Sequence, residues 1–129
     1  MNLYEKTIHK TSIYQGSIID LEVHDVELPD GKTSKRELVY HNGAVAVCAL
    51  TPENKVLLVK QFRKPAEKPL LEIPAGKLEI DEVRTEAAKR ELEEETGYIA
   101  DELELITEMY GSPGFSNEKI SIYLAKDLK

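Results

Sequence analysis

A chain of 129 residues and 14.6 kDa has room for one ordinary domain core and not for two. Hydrophobic residues at 41% and charged residues at 32% exclude a disordered or collagen-like chain, and a net charge of −7 argues against a nucleic-acid-binding domain. Cys48 is the only cysteine, which excludes an intrachain disulfide and a cysteine-built zinc site, and the longest apolar run, Ala44 to Leu50, is far short of a membrane span.

In chain order, Ile18 to Leu28 alternates with a period of about two and ends in Pro29-Asp30-Gly31, which is turn chemistry. Arg36 to His41 reads as the returning strand. Ala44 to Leu50 is continuous and β-rich, the pattern of a strand buried on both faces. Pro52-Glu53-Asn54 reads as a turn, and Lys55 to Phe62 as the hairpin partner of the preceding strand. Pro65, Pro69, Pro74 and Gly76 then break the pattern and leave room for one short strand, Leu70 to Ile73. From Glu82 to Thr96 good helix formers dominate, and Gly97 sits where a helix-stopping glycine belongs. Leu103 to Tyr110 and Lys119 to Ala125 read as two more strands. The expectation is a mixed α+β (α/β) fold.

The helix carries the chemistry. On a wheel of about 100° per residue with Glu91 at zero, Glu95 falls near +40° and Glu94 near −60°. Three carboxylates therefore share one arc, with Ala87 and Ala88 beside them, while Glu82, Glu86 and Glu93 point toward solvent. Clustered carboxylates repel unless something neutralises them. A hard divalent cation does so through oxygen ligands, and phosphate oxygens can complete its shell. A chain this acidic can thus hold a phosphate compound through a metal.

Gly76, Glu82, Arg90-Glu91, Glu94-Glu95, Gly97 and Tyr98 stand in the spacing of the Nudix box, and the sequence resembles the Nudix hydrolase superfamily. Tyr98 departs from the usual aliphatic residue at the last position. The resemblance implies that Glu91, Glu94 and Glu95, with the carbonyl of Ala75, ligate the metal. It implies Mg²⁺, with Mn²⁺ as the other candidate. Arg90 orients the carboxylates, with Glu86 four residues earlier as its helix partner. The catalytic set so implied is Glu94, Glu95 and Arg90.

Pro113 follows Gly97 by sixteen residues. Together with Ser34 to Glu37, Gly43 to Val47, Lys60 to Arg63 and Glu72 to Gly76, it resembles the ADP-ribose pyrophosphatase subgroup in order and spacing. The resemblance implies an enzyme that cleaves the pyrophosphate of ADP-ribose to AMP and ribose 5-phosphate by metal-activated water. Arg36, Arg63, Pro113 and Glu118 are the implied substrate contacts, with Arg63 on a phosphate. The alternatives are a Nudix hydrolase of another sugar nucleotide or dinucleotide, and a non-catalytic nucleotide-binding module.

The implied architecture is a Nudix-type α/β/α sandwich with a mixed sheet, residues 43–129, preceded by an antiparallel β-strand region, residues 1–42, that serves dimerisation and substrate contact. Subgroup members continue past the last strand into an acidic loop, a source of a general base or metal ligand, and a covering helix; this chain is expected to be truncated before both. A homodimer, a cytoplasmic location, and the absence of nucleic-acid or membrane partners complete the expectations.

Overall fold

The computed structural model describes all 129 residues, which divide into two compact units. The first comprises residues 1–41 and 110–118, the second residues 42–109 and 119–129.

In the first unit β1 (Lys6–Gln15), β2 (Asp20–Glu27) and β3 (Thr33–Tyr40) form an antiparallel sheet in that order. The β2–β3 turn is the one Pro29-Asp30-Gly31 announces. Gly31 takes a positive φ of 87°, and its amide donates to the Leu28 carbonyl. β1 was not legible as a strand. All ten of its residues are exposed, so its sequence has no buried face to mark with alternation. The segment after residue 110 folds onto β3: the Val39 amide donates to the Phe115 carbonyl, and the Asn117 amide donates to Val39 in return.

In the second unit the sheet order is β7 (Ala75–Lys77), β4 (Ala44–Ala49), β9 (Lys119–Ala125), β8 (Leu103–Tyr110), the last residue of β8 belonging to the first unit. β4 is central and pairs antiparallel with β7 and parallel with β9, so the sheet is mixed. The expected hairpin between β4 and Lys55–Phe62 is corrected by the structure. Only the tip of that hairpin forms: the Thr51 amide donates to the Lys55 carbonyl, Leu50 bridges Val56, and the Leu57 amide donates to Ala49. The chain then leaves the sheet, and β5 (Val59–Arg63) pairs instead with β6 (Lys68–Glu72) around a 3-10 turn at Lys64–Ala66. A strand buried on both faces attracts its neighbours from distant sequence, and a local turn does not reveal them.

The helix α1 spans Arg84–Thr96 and ends at Gly97, whose φ of 79° is left-handed and whose amide donates to the Glu93 carbonyl. Ala87, Ala88 and Leu92 are buried against Val45, Val47, Tyr123 and Ala125 of β4 and β9. This anchoring fixes the rotation of the helix, and so the direction of its acidic face. Arg84, in the first turn, donates through Nη1 to the carbonyls of Ala44 and Lys119 and to the Ser121 hydroxyl, tying the helix start to the two central strands. No helix is long and apolar enough to cross a membrane.

Candidate active site

The site is built where the last two turns of α1 meet β7. Arg90 is fully engaged by carboxylates. Its Nε and Nη2 each donate over 3.0 Å to Glu82, and Nη1 donates to Glu91 over 2.8 Å and to Glu94 over 3.3 Å. The fork onto Glu82 holds the guanidinium more firmly protonated than usual and keeps the Glu82 carboxyl below the ordinary carboxylate range. Two expectations change. The partner of Arg90 is Glu82, not Glu86, which lies 3.9 Å from Lys89 instead. Glu82 does not point to solvent either, because the helix begins only at Arg84 and the wheel does not govern residue 82.

Of the three carboxylates on the shared arc, two come together. Glu91 and Glu95 lie near enough for each carboxyl to act on the other, and the Ala75 amide acts on Glu95 as well. Burial pushes the Glu95 carboxyl up, with the charge of Glu91 adding to it; the Ala75 amide and the Arg63 charge pull the other way. Glu94 is largely exposed and turns to Arg90. No three His, Cys, Asp or Glu side chains are gathered into a finished cage.

Two features fit a small hard cation here. Oε2 of Glu95 is buried and has no hydrogen-bond partner. A native protein seldom leaves a buried acceptor so, and a cation bound to that oxygen would satisfy it. In addition, the Glu91 carboxylate lies against Gly76 so closely that a Cβ there would sit 2.1 Å from its Cδ. The strand backbone and the helix acids are thus within reach of the same ion. Ala75, Gly76, Glu91 and Glu95 form one oxygen-rich corner, and oxygen ligands are what Mg²⁺ and Mn²⁺ take.

Arg63, at the end of β5, is near enough for its charge to act on Glu95. Its Nε and Nη2 donate over 2.6 Å to the two oxygens of Glu72 on β6. Residues 59, 61 and 63 share one face of the hairpin, and Glu72 pairs with Val59. The arginine therefore runs back along its own strand. The sequence singled out Arg63 and not Glu72, since the ladder register that joins them is not written locally.

The remaining expected contacts lie in the first unit. Arg36 donates from Nε and Nη2 to Glu5 and from Nη1 to Ser34 and the Lys35 carbonyl. Pro113 is exposed in a turn closed by the Phe115 and Ser116 amides donating to the Ser112 carbonyl. The Glu118 carboxylate lies 3.5 Å from Nδ1 of His41, whose amide donates to the Asn117 side chain.

The family model of the NUDIX domain matches residues 40–129. The chain belongs to the Nudix family. The model of the nucleoside diphosphate sugar hydrolase N-terminal domain matches residues 5–39 of this Nudix chain. An ADP-ribose pyrophosphatase of Bacillus subtilis is 58% identical over 127 residues, covering 98% of this chain and 69% of the relative. A methanol dehydrogenase activator of Bacillus methanolicus is 55% identical, covering 96% and 67%. An ADP-ribose pyrophosphatase of Mycobacterium tuberculosis is 35% identical, covering 96% and 60%. Among solved structures, an ADP compounds hydrolase superposes with a TM-score of 0.84 at 23% identity, over all of this chain and 71% of that one; this shows the fold. Nudix hydrolases generally use divalent metal ions, in keeping with the oxygen-rich corner.

Proposed function

We propose that this Nudix chain hydrolyses the pyrophosphate of ADP-ribose, giving AMP and ribose 5-phosphate. The observation that carries the chemistry is the buried, unpartnered Oε2 of Glu95 beside Glu91 under the Gly76 backbone. The strong likeness to the B. subtilis pyrophosphatase supports the substrate. Glu91 and Glu95 would hold the cation, Mg²⁺ by preference with Mn²⁺ as its substitute, with the Ala75 carbonyl as backbone ligand and Glu94 swinging in from Arg90. A divalent cation there supplies Lewis acidity, charge neutralisation on the diphosphate and activation of water. Arg90 holds Glu91 and Glu94 in place through charge-assisted hydrogen bonds, and Arg63 presents N–H groups to a phosphate. Arg36 and Glu118 are substrate contacts on the first unit; Arg36 would have to exchange Glu5 for the substrate.

Residues 1–42 serve dimerisation and substrate contact, and residues 43–129 carry the chemistry. The exposed β1, with Ile8, Ile13 and Tyr14 each more than half exposed, supports a homodimer. Light scattering at micromolar concentration is expected to give twice the chain mass; a monomer whose activity is unchanged on dilution refutes it. The reading places the protein in the cytoplasm, with no nucleic-acid or membrane partner.

Release of AMP from ADP-ribose with Mg²⁺ tests the function. The likeness of residues 5–39 to nucleoside diphosphate sugar hydrolases favours a second reading, hydrolysis of another sugar nucleotide. The specificity residue under either reading is Pro113, whose ring fixes φ and stiffens the loop. Pro113→Ala is expected to lower kcat/KM for ADP-ribose several-fold more than for a generic dinucleotide. An equal fall for both makes Pro113 a structural turn, and a wild-type preference for nucleoside triphosphates rejects the substrate.

A further inference from the structure

The four arginines of this chain are held in different ways, and one of them keeps a side open. Arg90 and Arg36 engage Nε, Nη2 and Nη1 with protein acceptors. Arg84 lies under β4 and β9 with Nη1 on three acceptors. In Arg63 the Glu72 carboxylate takes only the edge formed by Nε and Nη2. Nη1 and the outer N–H of Nη2 donate to no protein atom. That outer edge is the second fork of a guanidinium, with the parallel geometry that matches two oxygens of a phosphate.

The carboxylate also sets where the fork faces. Arg63 is the last residue of β5 and more than two-fifths of its side chain is exposed; left alone, so long a side chain would sample many rotamers. Glu72 pulls it back along the hairpin, to where its charge acts on Glu95. Glu72 is the less exposed partner, at 25%, and sits on the last residue of β6, two residues before the buried Pro74 and three before Ala75. It is thus fixed to the same stretch of chain that frames the acidic corner.

We propose that Glu72 is a positioning residue for diphosphate binding: it occupies the inner edge of the Arg63 guanidinium so that the outer edge is presented, pre-oriented, to a phosphate beside the Glu91–Glu95 corner. Two long side chains are ordered before the substrate arrives, so less conformational entropy is lost on binding. The inference rests on the phosphate-binding reading of Arg63, and it adds that the carboxylate cooperates with the phosphate and does not compete with it.

The test is calorimetric titration of the full chain with ADP-ribose in EDTA, where no turnover occurs, repeated for Arg63→Ala, Glu72→Gln, Glu72→Asp and the Arg63→Ala/Glu72→Gln double variant. Glu72→Gln is expected to weaken binding about tenfold, since it loses one of two charge-assisted hydrogen bonds and the carboxylate charge. Glu72→Asp should recover part of the loss, and the double variant should bind no more weakly than Arg63→Ala, because Glu72 acts only through Arg63. Melting of Glu72→Gln in the presence of Mn²⁺ should still show the wild-type metal shift, which separates lost positioning from a disturbed site. Wild-type affinity in Glu72→Gln with weakened binding in Arg63→Ala overturns the positioning role. Tighter binding in Glu72→Gln overturns it as well, and makes Glu72 a competitor. Unchanged binding in Arg63→Ala, or no metal-free binding by the wild-type chain, rejects the phosphate contact itself, and no release of AMP from ADP-ribose with Mg²⁺ rejects the substrate reading.

Discussion

Replacing Glu95 with Gln is expected to raise the melting temperature of the metal-free chain by a few degrees and to remove most of the stabilisation conferred by Mn²⁺ or Mg²⁺. The two effects have one origin. Burial raises the Glu95 carboxyl above the ordinary range, helped by Glu91, and leaves Oε2 without a partner. An acid whose folded pKa is raised binds its proton more tightly folded than unfolded. Its ionisation therefore costs stability, and that cost grows as pH rises from the unfolded pKa through the folded one. Glu72 and Glu82 have the opposite sign. Arg63 and Arg90 hold their carboxyls below the ordinary range, so their contribution is present above the unfolded pKa and is lost as pH falls through the lowered folded values. At neutral pH Gln removes only the unfavourable contribution and leaves both forks intact. A cation reverses the balance by using the charge that burial penalises. A ligand at a hundred times its Kd adds about 2.7 kcal/mol to wild-type stability. In the variant that increment should shrink at least about tenfold in apparent metal affinity, with turnover falling on the order of 10²-fold where activity is measured. Scanning calorimetry with and without Mn²⁺, from pH 5 to 8, reads both effects. A wild-type metal shift in Glu95→Gln would remove Glu95 from the ligand set.

The acidic face was legible because its determinants are local. Glu91, Glu94 and Glu95 lie within five residues on one helix, Gly97 ends that helix, and Ala87, Ala88 and Leu92 fix its rotation. β4, β8 and β9 were legible from composition, and the turns at Gly31 and Asn54 from their residues. What escaped was set by register or by an element boundary. Glu82 was misplaced because two residues decide whether a side chain belongs to the helix face or folds back from the preceding loop. Glu94 could not be separated from its neighbours on a wheel, since the wheel does not show Arg90 drawing it away. The three-residue β7 leaves no periodicity, yet it brings Gly76 against Glu91. Cys48 lies in the strand expected to be buried on both faces, and it is only partly buried. For β7 a pairing between distant segments decided the outcome, and the local pattern was silent about it.

The contact at Gly76 leads to the other large effect. Gly76→Ala is expected to cost more in metal affinity than in stability. A Cβ at this position would lie 2.1 Å from Cδ of Glu91 and 2.3 and 2.5 Å from its two oxygens, distances that real Cβ atoms do not tolerate. The obstacle is the end of a flexible side chain, so the backbone of β7 need not move. Glu91 must swing away instead, off the Glu95 carboxyl and out of its 2.8 Å contact with Nη1 of Arg90. Overpacking of this kind costs about 1–3 kcal/mol. Losing one carboxylate from the site should weaken Mn²⁺ binding by one to two orders of magnitude, on the scale seen when groups supporting a metal site are removed. Gly97→Ala is the matched comparison. Its φ of 79° makes an alanine there cost about 1–2 kcal/mol, but no atom lies within 4 Å of the added Cβ. Both variants should therefore melt earlier than wild type, and only Gly76→Ala should lose the Mn²⁺-induced shift. If Gly97→Ala loses it equally, metal affinity simply follows global stability. If Gly76→Ala keeps it, Glu91 can ligate from a displaced position, and the close approach of strand and helix is not what builds the site.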